Sequence, residues 1–125
     1  MRHVRHYTLE EARELLPWVG AQLTAMRSAR ARLTDAEVRE ALAGAAPGNG
    51  GWRPGRAVGE AFLELQAVAG SLERREIQLR DLDRGLIDFP ALREEHEIYL
   101  CWVEGEADIG FWHELDAGFA GRREL

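Results

Sequence analysis

The sequence predicts an α+β fold: a long antiparallel helical hairpin with coiled-coil-like packing, followed by a C-terminal β-hairpin and a Gly-rich tail. Three observations predict it. Leu9, Ala12, Leu16, Val19, Leu23, Met26 and Leu33 recur at alternating spacings of three and four, with Arg30 as the one polar interruption. Val58, Leu65, Leu72, Leu79 and Leu86 repeat every seven residues. Each pattern draws one apolar stripe along a helix, and two such helices joined by a flexible connection bury their stripes against each other. From Glu97 the texture changes to β-formers, in Glu97–Val103 and again in Ile109–His113, with polar residues between them.

The elements follow in order within a single domain, 1–125. Thr8-Leu9-Glu10-Glu11 is a capping box that starts a helix over about 8–33, or about 39 Å of stripe. Pro17 removes one backbone hydrogen bond, to the Arg13 carbonyl, but the stripe continues in phase across it, so one kinked helix is expected. Thr34-Asp35-Ala36-Glu37 is a second capping box and opens a short helix over about 35–42, or prolongs the first. Residues 43–55 hold five glycines and two prolines and are expected to form a flexible loop. A second long helix is expected over about 56–83, with Gly85 as its stop and Phe89-Pro90 beyond it. A β-hairpin over about 97–114 and a tail over 116–125 complete the chain.

The first expected strand is apolar on both sides, with Ile98, Leu100 and Trp102 on one and Tyr99, Cys101 and Val103 on the other. A two-stranded ribbon on a helical pair leaves one such side uncovered, so the tail, a partner subunit or both are expected to cover it.

Composition narrows the function. A hydrophobic fraction of 46% and a charged fraction of 30% are those of a soluble globular chain. No apolar run reaches the ~20 residues of a membrane span, and no apolar stretch follows Met1-Arg2-His3 as in a secretory signal, so a cytoplasmic location is expected. A net charge of −6 argues against nucleic-acid and anionic-membrane partners. All 16 basic residues are arginine, which with the abundant alanine and glycine reads as codon bias. Cys101 is the single cysteine, set in an apolar run, and reads as a buried inert thiol.

His113-Glu114-Leu115-Asp116 is the best polar constellation. His113, Glu114 and Asp116 are the candidate catalytic residues, as a general acid–base set. With Glu104 and Glu106 from the turn, the same three are candidate ligands for a divalent metal. The spacing is permissive, and alternation on a strand turns His113 and Glu114 to opposite sides. His3 and His6 are expected in a loose terminus. The carboxylates and arginines of the second helix read as surface ion pairs, since no Glu-x-x-His pair accompanies them.

The string Asp83–Ala91, then Tyr99-Leu100-Cys101-Trp102, then Ile109–Arg122 resembles the bacterial family called domain of unknown function 2203. Tyr7–Ala12 with Leu15-Leu16-Pro17 is similar to that family's first helix. The resemblance implies no activity, cofactor or catalytic residue. The heptad stripes and the two-faced apolar strand need more cover than one hairpin offers, so the leading expectation is a non-catalytic homo-oligomer, a dimer in the simplest case, acting through interaction surfaces with its own copy or another protein. The alternative is a metal-dependent or acid–base enzyme built on His113, Glu114 and Asp116.

Overall fold

The computed structural model describes residues 1–44 and 52–125. Among them the elements are helix α1 (Leu9–Gly44), helix α2 (Trp52–Glu73) and strands β1 (Gln78–Asp81), β2 (Leu86–Arg93), β3 (His96–Val103), β4 (Phe111–Glu114) and β5 (Arg123–Glu124), with a 3-10 turn at Phe119–Gly121. The strands form one antiparallel sheet in the order β1-β2-β3-β4-β5. The α+β class is as expected. The chain divides into two compact units, residues 1–23 with 71–125, and residues 24–70.

The helices differ from the expected boundaries in two ways. Helix α1 opens on the capping box, with the Thr8 amide donating to Glu11 Oε1 (2.8 Å) and the Glu11 amide to Thr8 Oγ1 (3.1 Å). It then runs unbroken through Pro17 and through Thr34–Glu37 to Gly44, so no separate short helix forms. The expected loop over 43–55 has its glycine-rich centre outside the described residues, and α2 already begins at Trp52.

Helix α2 ends at Glu73, well before the expected 83. The Glu76 amide donates to the Glu73 carbonyl (2.9 Å) and the Ile77 amide to the Leu72 carbonyl (3.1 Å), with Glu76 at φ 57°. This is a Schellman stop, sealed by the buried side chains of Leu72 and Ile77. A glutamate fills the left-handed position that glycine usually takes. Gly85, expected to stop the helix, sits instead at φ 68° between β1 and β2.

In the unit of residues 24–70, Arg32 pairs with Glu64, and a Cβ on Gly55 would lie 3.7 Å from the Glu40 carboxylate. Later residues of α1 thus meet earlier residues of α2, which makes the pair antiparallel. Its buried side chains are small or flexible (Met26, Ala29, Ala36, Ala61), while Val38, Leu42, Phe62 and Leu63 are exposed.

In the other unit the expected hairpin of β3 and β4 is present, with Tyr99 opposite His113 and Cys101 opposite Phe111. It is the middle of a larger sheet. Strand β2, from Leu86 to Arg93, pairs with β3 along its whole length. Their connection is the two-residue turn Glu94-Glu95, with φ of 52° and 64° at the two positions, the backbone of a type I′ hairpin. Pro90 is tolerated in β2 because β1 starts only opposite Asp88. The carbonyl of Pro90 is free on that side and accepts from the Tyr7 amide (2.7 Å).

Alternation gives the sheet two unlike faces. One carries Ile87, Phe89, Ala91, Ile98, Leu100, Trp102 and Trp112, all buried, and Tyr7 just ahead of α1 packs edge-on against Phe89. The other carries Asp88, Pro90, Glu97, Tyr99, Cys101 and His113, also buried. This second face is covered by the chain itself. The tail is not a loose end: Arg122 lies 4.0 Å from the Phe111 ring centre and pairs with Glu106, and β5 adds to β4.

The first residues are equally ordered, in contrast to the loose terminus expected for His3 and His6. Glu97 accepts from the amides of Arg2 (2.7 Å) and His3 (3.0 Å) and from His6 Nε2 (2.7 Å). Glu76 accepts from the amides of Val4 and Arg5. Burial pushes the Glu97 carboxyl up, but the bonds from His6, His3 and Arg2 outweigh this and hold it at about 2. An ordinary glutamate titrates at 4.5, so the bonds of Glu97 stabilise the fold fully above that pH and progressively less as pH falls toward about 2. Glu97→Gln should accelerate amide hydrogen exchange of Arg2 and His3 at neutral pH and flatten the loss of stability between those two pH values. Unchanged exchange at both amides would contradict the latch.

Candidate functional site

The second face of the sheet gathers the polar groups. Cross-strand pairing sets Asp88 opposite Cys101 and Tyr99 opposite His113, so three neighbouring strands bring these side chains together. Strand β1 contributes through an irregularity: its register shifts between Leu79 and Asp81, leaving Arg80 as the extra residue. Such a bulge re-aims a side chain. Arg80 Nε donates to Asp88 Oδ2 (3.0 Å), and its guanidinium lies 5.1 Å from the Tyr99 ring centre.

Asp88 and His113 are only 2% and 1% exposed. His113 Nε2 stands 3.0 Å from Asp88 Oδ1, and His113 Nδ1 stands 2.7 Å from the Glu114 carbonyl oxygen. A carbonyl can only accept, so Nδ1 carries a proton and the ring orientation is fixed. The Cys101 thiol faces the Asp88 carboxyl across the strand pair, and one ligating atom from each of Asp88, Cys101 and His113 falls within 4.8 Å of the other two. Burial, and then the charge of Asp88, push the Cys101 thiol up to about 12 against the weaker pull of Arg122. On its own it is a neutral thiol and a poor nucleophile.

Beside this cluster opens a cleft of about 400 Å³, within the usual range for small-molecule sites. Asp88 and His113 line it together with Arg2, Arg80, Asp116 and Phe119. Arg2 is held to Asp116 by an ion pair of 2.9 Å, and His3 Nε2 lies 2.6 Å from the Tyr99 hydroxyl. The ordered start of the chain therefore builds one wall.

The residues singled out by sequence do not converge. His113 is in the buried cluster. Glu114, the next residue, points to the other face, where it pairs with His96 (2.7 Å). Asp116 is 88% exposed at the cleft rim. Glu106 is engaged by Arg122, at 2.8 and 2.9 Å, and accepts from the Val103 amide. Glu104 donates its amide to the Gly85 carbonyl and forms a bridge with Glu106. Neither turn glutamate joins His113. Sequence reasoning missed Asp88, Arg80 and Arg2, took Cys101 as a buried inert thiol, and read Tyr99 first as core, with an interface or a ligand pocket as alternatives. The one available signal was a lone acidic residue in an apolar run, Leu86-Ile87-Asp88-Phe89.

The fold and the site together define an α+β protein with a buried carboxylate, imidazole and thiol beside a small cleft. A family model described as an uncharacterized conserved protein, DUF2203, matches residues 5–125, and the chain belongs to that family. No curated protein and no solved structure matches it. Among the described residues no helix is long and apolar enough to cross a membrane.

The burial of Cys101 has a direct readout. A thiol-specific reagent at neutral pH should label the chain in denaturant and leave the native protein unlabelled over the same interval. Rapid native labelling would place the thiol outside the cluster.

Proposed function

We propose that the protein works at this cleft on a small anionic molecule. Arg2 and Arg80 receive the anionic group, and the Asp88–His113 pair below exchanges a proton with the bound molecule. The single observation that carries the reading is a pair of ionisable side chains almost fully buried in a sheet yet lining a cleft rimmed by arginines. His113 keeps the role anticipated for it, with Asp88 as its acidic partner in place of Glu114. A lone unpaired cysteine fits a reducing compartment and supports a cytoplasmic site of action.

The test is a panel of small carboxylates and phosphate monoesters followed by amide chemical-shift mapping. At least one should move the Leu115–Phe119 amides together with Arg80. Arg2→Gln, which leaves the Asp88 cluster intact, should weaken its binding about tenfold, the low end of a charge-assisted hydrogen bond. Shifts scattered over the surface, or none, would remove the reading.

A second reading, self-association, is favoured by a different observation. The aromatic rings of β2 and β3 and Trp112 of β4 are buried within one chain, whereas residues 24–70 leave Val38, Leu42, Phe62 and Leu63 exposed, Leu63 by 64%. The occupant of that surface is a second copy. Light scattering should then give twice the 14.1 kDa chain mass, reverting to one chain in Phe62→Glu/Leu63→Glu. A wild-type protein that scatters as one chain at millimolar concentration would exclude it.

A further inference from the structure

The geometry points to a divalent transition-metal site, zinc by its donor chemistry, formed by Asp88, Cys101 and His113, with its open coordination position toward the cleft. It rests on the cleft reading for the use of the site, and in it the metal ion takes the place of the proton between Asp88 and His113 as the group that meets the bound anion; the donor geometry stands by itself.

The argument starts from His113. Its Nδ1 proton is committed to the Glu114 carbonyl at 2.7 Å. A neutral imidazole carries one proton, so Nε2 then offers a lone pair. That lone pair faces Asp88 Oδ1 at 3.0 Å, another atom that offers only lone pairs when ionised. Two acceptors at that distance in a buried site repel unless a proton or a metal ion stands between them. The proton would sit on His113 or on Asp88; the metal would be held by both.

The third group decides in favour of the metal. A proton shared by His113 and Asp88 needs nothing more, yet Cys101 is set on the same face with its sulfur in reach of both. A tetrahedral zinc holds nitrogen and oxygen at about 2.0–2.1 Å and sulfur at about 2.3 Å, which puts donor atoms roughly 3.3–3.7 Å apart. The three donors already lie within 4.8 Å of one another, with the nitrogen–oxygen edge at 3.0 Å. A thiolate, an imidazole and a carboxylate match zinc and its cobalt and iron(II) analogues; magnesium and calcium prefer oxygen alone.

The outer contacts are those that metal ligands require. The Glu114 carbonyl fixes the His113 tautomer, and Arg80 holds Asp88 Oδ2 at 3.0 Å, leaving Oδ1 for the ion. Three protein ligands leave a fourth position, the arrangement of catalytic rather than structural zinc. Because Asp88 and His113 also line the cleft, an anionic ligand seated between Arg2 and Arg80 would be within reach of that position.

The test uses the untagged full chain, stripped with chelator and titrated with Co²⁺ alone. One equivalent should produce visible bands of four-coordinate cobalt and a near-ultraviolet thiolate-to-cobalt band, both abolished by added Zn²⁺. His3 and His6 cannot mimic the second signal, since Cys101 is the single cysteine. Cys101→Ser should lose the thiolate band while retaining weaker cobalt binding. Asp88→Asn and His113→Gln should lower affinity by more than the roughly 10–100-fold that follows loss of an outer-shell partner. Thermal unfolding of each metal-free variant checks the fold, and the wild-type titration stands without them.

Absence of the thiolate band in wild type, or its persistence in Cys101→Ser, overturns the site. If cobalt does not bind but small anions still shift the cleft amides, the cleft reading survives and a proton occupies the place given to the metal. If cobalt binds through Cys101 and no anion does, the metal site survives and the cleft reading falls.

Discussion

The structure turns on one buried carboxylate. Asp88 lies in β2, flanked by β1 and β3, and at 2% exposure it has almost no water to solvate its charge. An ionised group in such a place costs several kcal/mol unless other groups replace the lost hydration. Three elements converge to do so: the bulge in β1 delivers Arg80, β4 delivers His113 and β3 delivers the Cys101 thiol. Removing one partner from a buried pair of this kind typically costs about 3–5 kcal/mol. The register of four strands is therefore tied to the chemistry of one side chain.

The same constraint explains how both ends of the chain are used. A sheet with one apolar and one polar face needs different covers for each. The apolar face is met by Tyr7, and the Arg13–Asp108 pair ties α1 to the connection between β3 and β4. The polar face needs a cover that brings hydrogen bonds. The first residues supply backbone amides to Glu97 and Glu76, and the tail supplies the Arg122 guanidinium to Glu106 and the Cys101 carbonyl. This is why the covering surface expected from a partner subunit is largely furnished by the chain itself. Exposed apolar side chains remain on residues 24–70, at Val38, Leu42, Phe62 and Leu63, and in the sheet unit at positions such as Leu92 and Leu125.

Sequence reasoning reached the α+β class, the Thr8–Glu11 cap and the pairing of β3 with β4, because each rests on a local signal. It missed β1 and β2 for identifiable reasons. The stop of α2 places Glu76 at φ 57°, where composition suggests no break, and the leucine repeat runs on by coincidence into Leu79 and Leu86 of the sheet. The hairpin between β2 and β3 turns on Glu94-Glu95 in a backbone normally marked by Asn-Gly. With β2 unseen, Asp88 had no place opposite Cys101, and His113 lost its real partner. The strand alternation that divides His113 from Glu114 was visible in the sequence. The identity of the acid on the same face was not, because it depends on the pairing of a strand some twenty-five residues away.

Stability alone does not account for the cluster. Replacing a buried ion pair with well-packed apolar side chains is often neutral or stabilising by about 1–4 kcal/mol. A sheet with valine at the places of Asp88 and His113 would bury the same surface without charge to compensate. The other buried acid follows a different logic: Glu97 holds down the amides of Arg2 and His3, so its charge secures a segment that apolar contact could not. Asp88 secures no segment outside the sheet. Its partners are side chains of its own sheet, and together with His113 it lines the cleft. A costly charged group at a place in the sheet that an apolar side chain could fill, set where a small molecule has access, is what a working site requires and a core does not.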